Sequence, residues 1–204
     1  MKEGACGELK STIPPVTATA WASFLTGKNP GKTGIYDFFY LKEKWPPKVG
    51  ISSGSMIRKD NILTILSDHG FRVASINIPM TYPPYRVNGV IVSGIETPRG
   101  RVFAYPLGLY FKLVKEGYFP ELDMPYIPGN EKEFLSNLYL MIEKRNKLFF
   151  TFLNDGSFNL ILLFFRETDI VSHAFWRFMD EKSSPLSRRE SIQKRYIGSI
   201  QKGR

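Results

Sequence analysis

The sequence predicts an α/β fold built on a mainly parallel sheet flanked by helices, and two observations point to it. The first is the near-continuous apolar run from Phe158 through Phe165, set between two stretches of helical periodicity, which reads as a parallel strand covered on both faces. The second is the alternation of helix-like and strand-like segments further upstream, with no internal repeat or low-complexity tract to suggest another architecture.

Taken in order, residues from Thr17 to Thr26 are small or apolar, with Trp21, Phe24 and Leu25 at helical spacing and Gly27 where a left-handed cap belongs. A second helix is expected from near Asp60, carrying Ile62, Leu63, Ile65 and Leu66 and stopping at Gly70. Val73, Ser75, Ile76 and Ile78 then suggest a strand ended by Pro79. The region of about 80–130, rich in proline and tyrosine from Met80 to Tyr110, reads as an irregular insertion that packs on the surface or lines a substrate pocket.

After Gly129 and Asn130 the periodicity is clearest. Phe134, Leu135, Leu138, Met141, Ile142, Leu148, Phe149, Phe152 and Leu153 recur at three- and four-residue steps, predicting one long amphipathic helix closed by Asn154, Asp155 and Gly156. The apolar strand follows, and Ile170 to Met179 supplies the next helix. Ligands in such folds gather beyond the carboxyl ends of the strands.

The 204 residues, 43% hydrophobic and 23% charged, are enough for one domain with a sizeable core. The longest apolar run falls far short of the ~20 residues of a membrane-spanning helix. Met1 to Lys10 shows no basic start followed by an apolar stretch, so no secretory signal is expected, no membrane partner, and a cytoplasmic address. The single cysteine, Cys6, rules out an internal disulfide and a cysteine-built zinc site. A net charge of +9 attracts any anion. Much of it lies in Arg188, Arg189, Lys194, Arg195, Lys202 and Arg204, where a solvated face or tail is the plain reading. A basic, non-catalytic module that binds polyanions or a partner protein is the alternative class of function. Basic and aromatic residues do not interleave as in known nucleic-acid modules, so nucleic acid is not the favoured partner.

Two places hold chemistry-bearing residues. Asp169 and His173 are four apart near the start of a helix, so their side chains share a face, and a carboxylate with a neutral imidazole suits zinc or a similar divalent ion. Spacing alone leaves two plainer alternatives open: Asp169 as an N-cap and His173 as a packed helix residue beside Phe175 and Trp176. At the other place, Pro14 and Pro15 lead straight into a helix and put Thr17 at its N-cap. Free amides and the helix dipole there suit a phosphate, and a hydroxyl with a lowered pKa could attack one; a plain threonine cap is the alternative.

These residues resemble a known family. The run STIPPVTATAWASFLTGKNPGKTGIYDF, from Ser11 through Phe38, is similar to the nucleophile segment of type I phosphodiesterases and nucleotide pyrophosphatases, in the alkaline phosphatase superfamily. There a threonine precedes a helix closed by Thr-Gly, here Thr26 and Gly27, followed by Pro30, Gly34 and Ile35, which places the family's nucleophile on Thr17. FRETDIVSHAFW, from Phe165 to Trp176, resembles the stretch whose aspartate and histidine hold one of two zinc ions. Pro79 to Pro83 and Val87 to Gly94 also look like archaeal and bacterial members.

The resemblance implies an alkaline phosphatase-like fold and a metal-dependent hydrolase of phosphoric esters. Thr17 would bind one metal and attack phosphorus in line, giving a phospho-enzyme that water hydrolyses, while Asp169 and His173 would hold the other metal. Two divalent ions are expected, zinc first and manganese second, with a small phosphate ester as substrate.

The chain also departs from the pattern. No aspartate precedes Thr17, and no histidine follows His173, so an upstream ligand and a later Asp-His pair have no counterpart. Thr33 stands where many relatives have histidine, and Ala20 where some have asparagine. The expectation is therefore an incomplete domain, truncated at both ends and weakly active or inactive alone, with a second polypeptide completing the site. Ser67, Asp68, His69 and Gly70 spell the family's later metal motif, but they close an amphipathic helix with no apolar strand ahead and read as a helix end.

Overall fold

The computed structural model describes residues 4–43, 45–122 and 124–179, so the basic residues Arg188, Arg189, Lys194, Arg195, Lys202 and Arg204 lie outside the described part. The chain forms two compact units: Met1–Asp123 with Glu143–Phe164, and Met124–Ile142 with Phe165–Arg204.

The first unit opens with helix α1 (Thr17–Thr26) and a one-turn helix α2 (Pro30–Thr33). Gly27 and Gly34 adopt φ of 64° and 70° as left-handed caps. Next comes an antiparallel hairpin of β1 (Phe39–Glu43) and β2 (Lys48–Ile51), which the sequence reading did not foresee. Phe39 pairs with Ile51 and Leu41 with Val49, so four apolar side chains line one face; all four are exposed. Tyr40 lies over Gly50 on the other face, where a Cβ would meet its ring at 2.4 Å.

Helix α3 (Ile62–Asp68) is capped by Asn61, whose Oδ1 accepts the Thr64 N–H at 3.1 Å. Strand β3 (Val73–Ile78) follows. The stretch expected to be irregular is instead structured: it supplies β4 (Gly89–Ser93), β5 (Ala104–Tyr105) and α4 (Leu107–Lys115). Its prolines sit in turns and at the helix start, which is why proline content misled the reading.

The sheet runs β5-β4-β3-β6, with β6 (Leu160–Leu163) parallel to β3, β4 parallel to β3, and β5 antiparallel to β4. This is the α/β, mainly parallel architecture the periodicities implied. Central β3 is buried at all six positions. Ala74 and Ile76 join Leu113, Leu148 and Phe152 on one face, while Val73 packs with Leu63 on the other. The register slips between Ile76 and Ile78, where Asn77 takes φ of 59° and swings Ile78 onto the face that meets α1. Asn77 is fixed there by Tyr118, whose hydroxyl donates to its Oδ1.

Strand β6 corrects another expectation. Rather than being covered throughout, all four of its residues are half-buried, and among the described residues it ends the sheet. Helix α5 (Glu131–Asp155) matches the long periodic stretch closely. In the second unit, Tyr126, Phe134, Phe175 and Phe178 form a chain of ring contacts with centroids 5.1–6.1 Å apart. Among the described residues no helix is long and apolar enough to cross a membrane.

Candidate active site

Helix α1 is held at the carboxyl end of β3 because Ala18, Ala22 and Leu25 pack against Ile78 and Met80. Its N-cap is Val16, with φ −111° and ψ 142°, and Thr17 is the first helical residue and not the cap, so the helix starts one position earlier than the sequence suggested. The cap is apolar, so its side chain satisfies none of the first-turn amides. Thr17 is exposed there, beside amides and a helix dipole that favour an anion. Ala20 is half-buried on the same helix, and Thr33 ends α2.

The loop after β3 is wired from several sides. Gly54 donates its N–H to the Tyr82 carbonyl at 2.7 Å and packs so closely that a Cβ there would lie 2.6 Å from the Met80 carbonyl oxygen. Ser93 Oγ donates to the Thr81 carbonyl at 3.1 Å. Glu96, just past β4, accepts the Tyr82 N–H on Oε1 at 2.8 Å, while its buried Oε2 has no hydrogen-bond partner among the described residues. Burial pushes the Glu96 carboxyl above its ordinary value, against backbone donors led by Tyr82 that pull it down.

Glu96 was not singled out from sequence, because nothing in Ile95-Glu96-Thr97 marks a burial that only the loop geometry creates. A carboxyl with a raised folded pKa favours the folded state when protonated. Its contribution is therefore complete below the unfolded value near 4.5 and is lost as pH rises through the folded one. We expect Glu96→Gln to flatten the fall in stability between mildly acidic and neutral pH. Urea midpoints at the two pH values check this, and an unchanged slope would refute it.

In the second unit, α6 (Arg166–Met179) starts four residues earlier than expected, so Asp169 is inside the helix and not its N-cap. Phe175 and Phe178 are buried, whereas Asp169 and His173 face solvent with side chains 55% and 82% exposed. Asp169 Oδ1 and His173 Nε2 stand 3.4 Å apart. Two ligands on a tetrahedral centre with bonds of ~2.0–2.2 Å are separated by roughly that distance, so the pair fits one edge of a zinc coordination shell. Among the described residues, no group of three or more His, Cys, Asp or Glu forms. Arg166 opens the same helix; burial lowers its pKa, while the charges of Asp169 and Glu167 raise it.

The structure thus pairs Asp169 with His173 in the second unit and leaves Thr17 on the first. Ser67, Asp68 and His69 behave as a helix end: His69 is the C-cap, exposed, with Nδ1 2.8 Å from the Ile65 carbonyl oxygen, and Gly70 follows at φ 84°.

Neither a curated protein nor a solved structure matches this chain. A family model does, over residues 1–194, and its family is described as Type I phosphodiesterase / nucleotide pyrophosphatase. With that match over nearly all of its length, and the mainly parallel α/β sheet that carries the matched segments, the chain belongs to the type I phosphodiesterase/nucleotide pyrophosphatase family.

Proposed function

We propose that this chain forms part of a metal-dependent hydrolase of phosphoric esters in which Thr17 is the nucleophile and Asp169 and His173 are metal ligands. The observation that carries this reading is the solvent-facing Asp169–His173 pair, spaced 3.4 Å as two ligands of one ion would be. Thr17 fits its role as an exposed hydroxyl on an uncapped helix start that offers free amides to phosphate oxygens. Its Oγ1 forms the new bond to phosphorus as the leaving oxygen departs, and water later cleaves the phosphothreonine. A bound divalent ion, zinc first and manganese second, would lower the pKa of a coordinated oxygen and offset charge on the phosphoryl group.

Two protein ligands leave most of a coordination shell to water, so the chain alone binds metal weakly, and a second polypeptide supplies what is missing. The isolated chain is expected to hydrolyse bis-p-nitrophenyl phosphate poorly or not at all with zinc or manganese added. It is also expected to bind zinc weakly in calorimetric titration, a signal that Asp169→Ala or His173→Ala removes. Zinc binding indifferent to both substitutions would sink the ligand assignment. Robust turnover abolished by Thr17→Ala would instead show that the chain is complete in itself.

A further inference from the structure

We infer that Glu96 is a positioning residue: its carboxylate fills a nest of backbone amides at the carboxyl end of β3, and the loop so fixed sets where α1 begins and where Thr17 stands. The inference rests on the proposed function only in taking Thr17 as the nucleophile.

The amides of the loop after β3 need an acceptor, because buried N–H groups left unpaired are costly. Met80 and Thr81 are wholly buried, and Met80, directly after Pro79, takes φ of 63°. A non-glycine residue held left-handed costs on the order of 1–3 kcal/mol and persists only where its surroundings impose it. Successive amides in such a turn converge on one side and form a concavity that takes an anion. Here the anion is Glu96. It accepts the Tyr82 N–H at 2.8 Å, and the amides of Met80, Thr81 and Glu96 itself lie close enough to favour its charged form. The carbonyls of the loop are held separately, by Ser93 Oγ on Thr81, by the Gly54 amide on Tyr82 and by the Thr81 hydroxyl on Ile78.

The same loop seats α1. Ala18, Ala22 and Leu25 pack with Ile78 and Met80 in one buried cluster. Both alanines are wholly buried, so the helix backbone rides close on the loop, with little side chain to absorb a shift of Met80. Ala18 adjoins Thr17. A displacement of about 1 Å at a reacting group can cost on the order of a hundredfold in rate, so even small slack in this loop matters.

A purely structural acid is the competing reading, and the energetics speak against it. Burial makes the Glu96 charge unfavourable to hold, enough to outweigh the amides. A neutral side chain of the same shape would serve stability better, whereas only a carboxylate offers charge and two acceptor oxygens to converging amides.

The test uses the full chain at neutral pH, with amide hydrogen exchange read residue by residue by NMR. The reporter on α1 is Ala20, whose N–H makes the first bond of the helix, to the Val16 carbonyl at 2.9 Å. Glu96→Ala is expected to speed exchange at Tyr82 and Ala20 at least about tenfold, while Ala74 and Ser75 of central β3 exchange as in the parent. Glu96→Gln keeps one acceptor oxygen for Tyr82 and should speed the same two amides at least about threefold, so it decides the matter if the alanine variant fails to fold. Inorganic phosphate should shift the Thr17 and Ala18 amide signals of the parent and bind the alanine variant at least about threefold more weakly.

Faster exchange at Tyr82 that stops short of Ala20 would overturn the inference, because the loop would then not set α1. So would an equal speed-up at all four amides, the mark of a residue that only stabilises the fold, as would unchanged exchange in a folded variant or equal phosphate affinity in parent and variant. Phosphate that leaves Thr17 and Ala18 unmoved in the parent would instead remove the anion seat from the hydrolase reading, and the response of Ala20 to Glu96 would still decide this one.

Discussion

Gly89→Ala should cost on the order of 4–5 kcal/mol or prevent folding altogether, the extreme of single-residue effects. Gly89 opens β4 opposite Val73 of β3, with φ at 138°, a conformation closed to other L-residues. A Cβ built there would lie 1.9 Å from the Val73 carbonyl oxygen and 2.9 Å from its nitrogen. These are backbone atoms of the central, fully buried strand and cannot swing aside as a side-chain tip would. Relief requires β3 and β4 to part where their pairing begins.

Gly27→Ala is the control. It too has positive φ, 64°, but nothing lies within 4 Å of its would-be Cβ, so only the left-handed backbone penalty of ~1–2 kcal/mol applies. Urea titrations of the two variants separate steric from conformational cost, and equal losses would refute the close approach.

The second large effect falls on Asn61, which is fully buried and does three things at once. Its Oδ1 caps α3 through the Thr64 N–H, and its Nδ2 donates to the Ile57 carbonyl at 3.3 Å and to Tyr85 Oη at 2.7 Å. Burial pushes the Tyr85 hydroxyl up, so it stays neutral and needs a partner. Asn61→Ala deletes the cap, worth ~1 kcal/mol, and removes the buried Nδ2 donor shared by the Ile57 and Arg58 carbonyls and the Tyr85 hydroxyl, which keeps only Thr64, at ~1–3 kcal/mol. The expected loss is about 2–4 kcal/mol. Asn61→Asp keeps the cap acceptor but loses the amide donors to Ile57, so it should recover only part. Chemical denaturation orders the three proteins, and an alanine variant as stable as the parent would refute this account of the network.

What the sequence disclosed was the part governed by local periodicity. Phe134 through Leu153 repeat so regularly that α5 was legible to within a residue or two, and Gly27 and Gly70 marked true helix ends. The Asp169–His173 pairing was legible because one helical turn fixes it regardless of tertiary context. What depended on distant partners was not. Val90, Ile91 and Val92 of β4 form a short apolar run hidden among prolines, and its place in the sheet comes from pairing with β3. The β1–β2 hairpin does alternate, with Phe39, Leu41, Val49 and Ile51 on one face, but its strands are only five and four residues long, buried almost nowhere and parted by Trp45, Pro46 and Pro47, so the pattern does not stand out. Glu96 looked like any surface acid until the loop after β3 closed over it.

That hairpin bears on how the protein is handled at the bench. Phe39, Leu41, Val49 and Ile51 make a greasy plate in the native state, and Trp45 beyond it is 88% exposed. A dye such as anilinonaphthalene sulfonate, whose glow is usually taken to mean a loosened fold, should light up on intact material. Brightness in that assay would report the plate, and near-ultraviolet dichroism is the sounder gauge of whether a purified sample is properly folded.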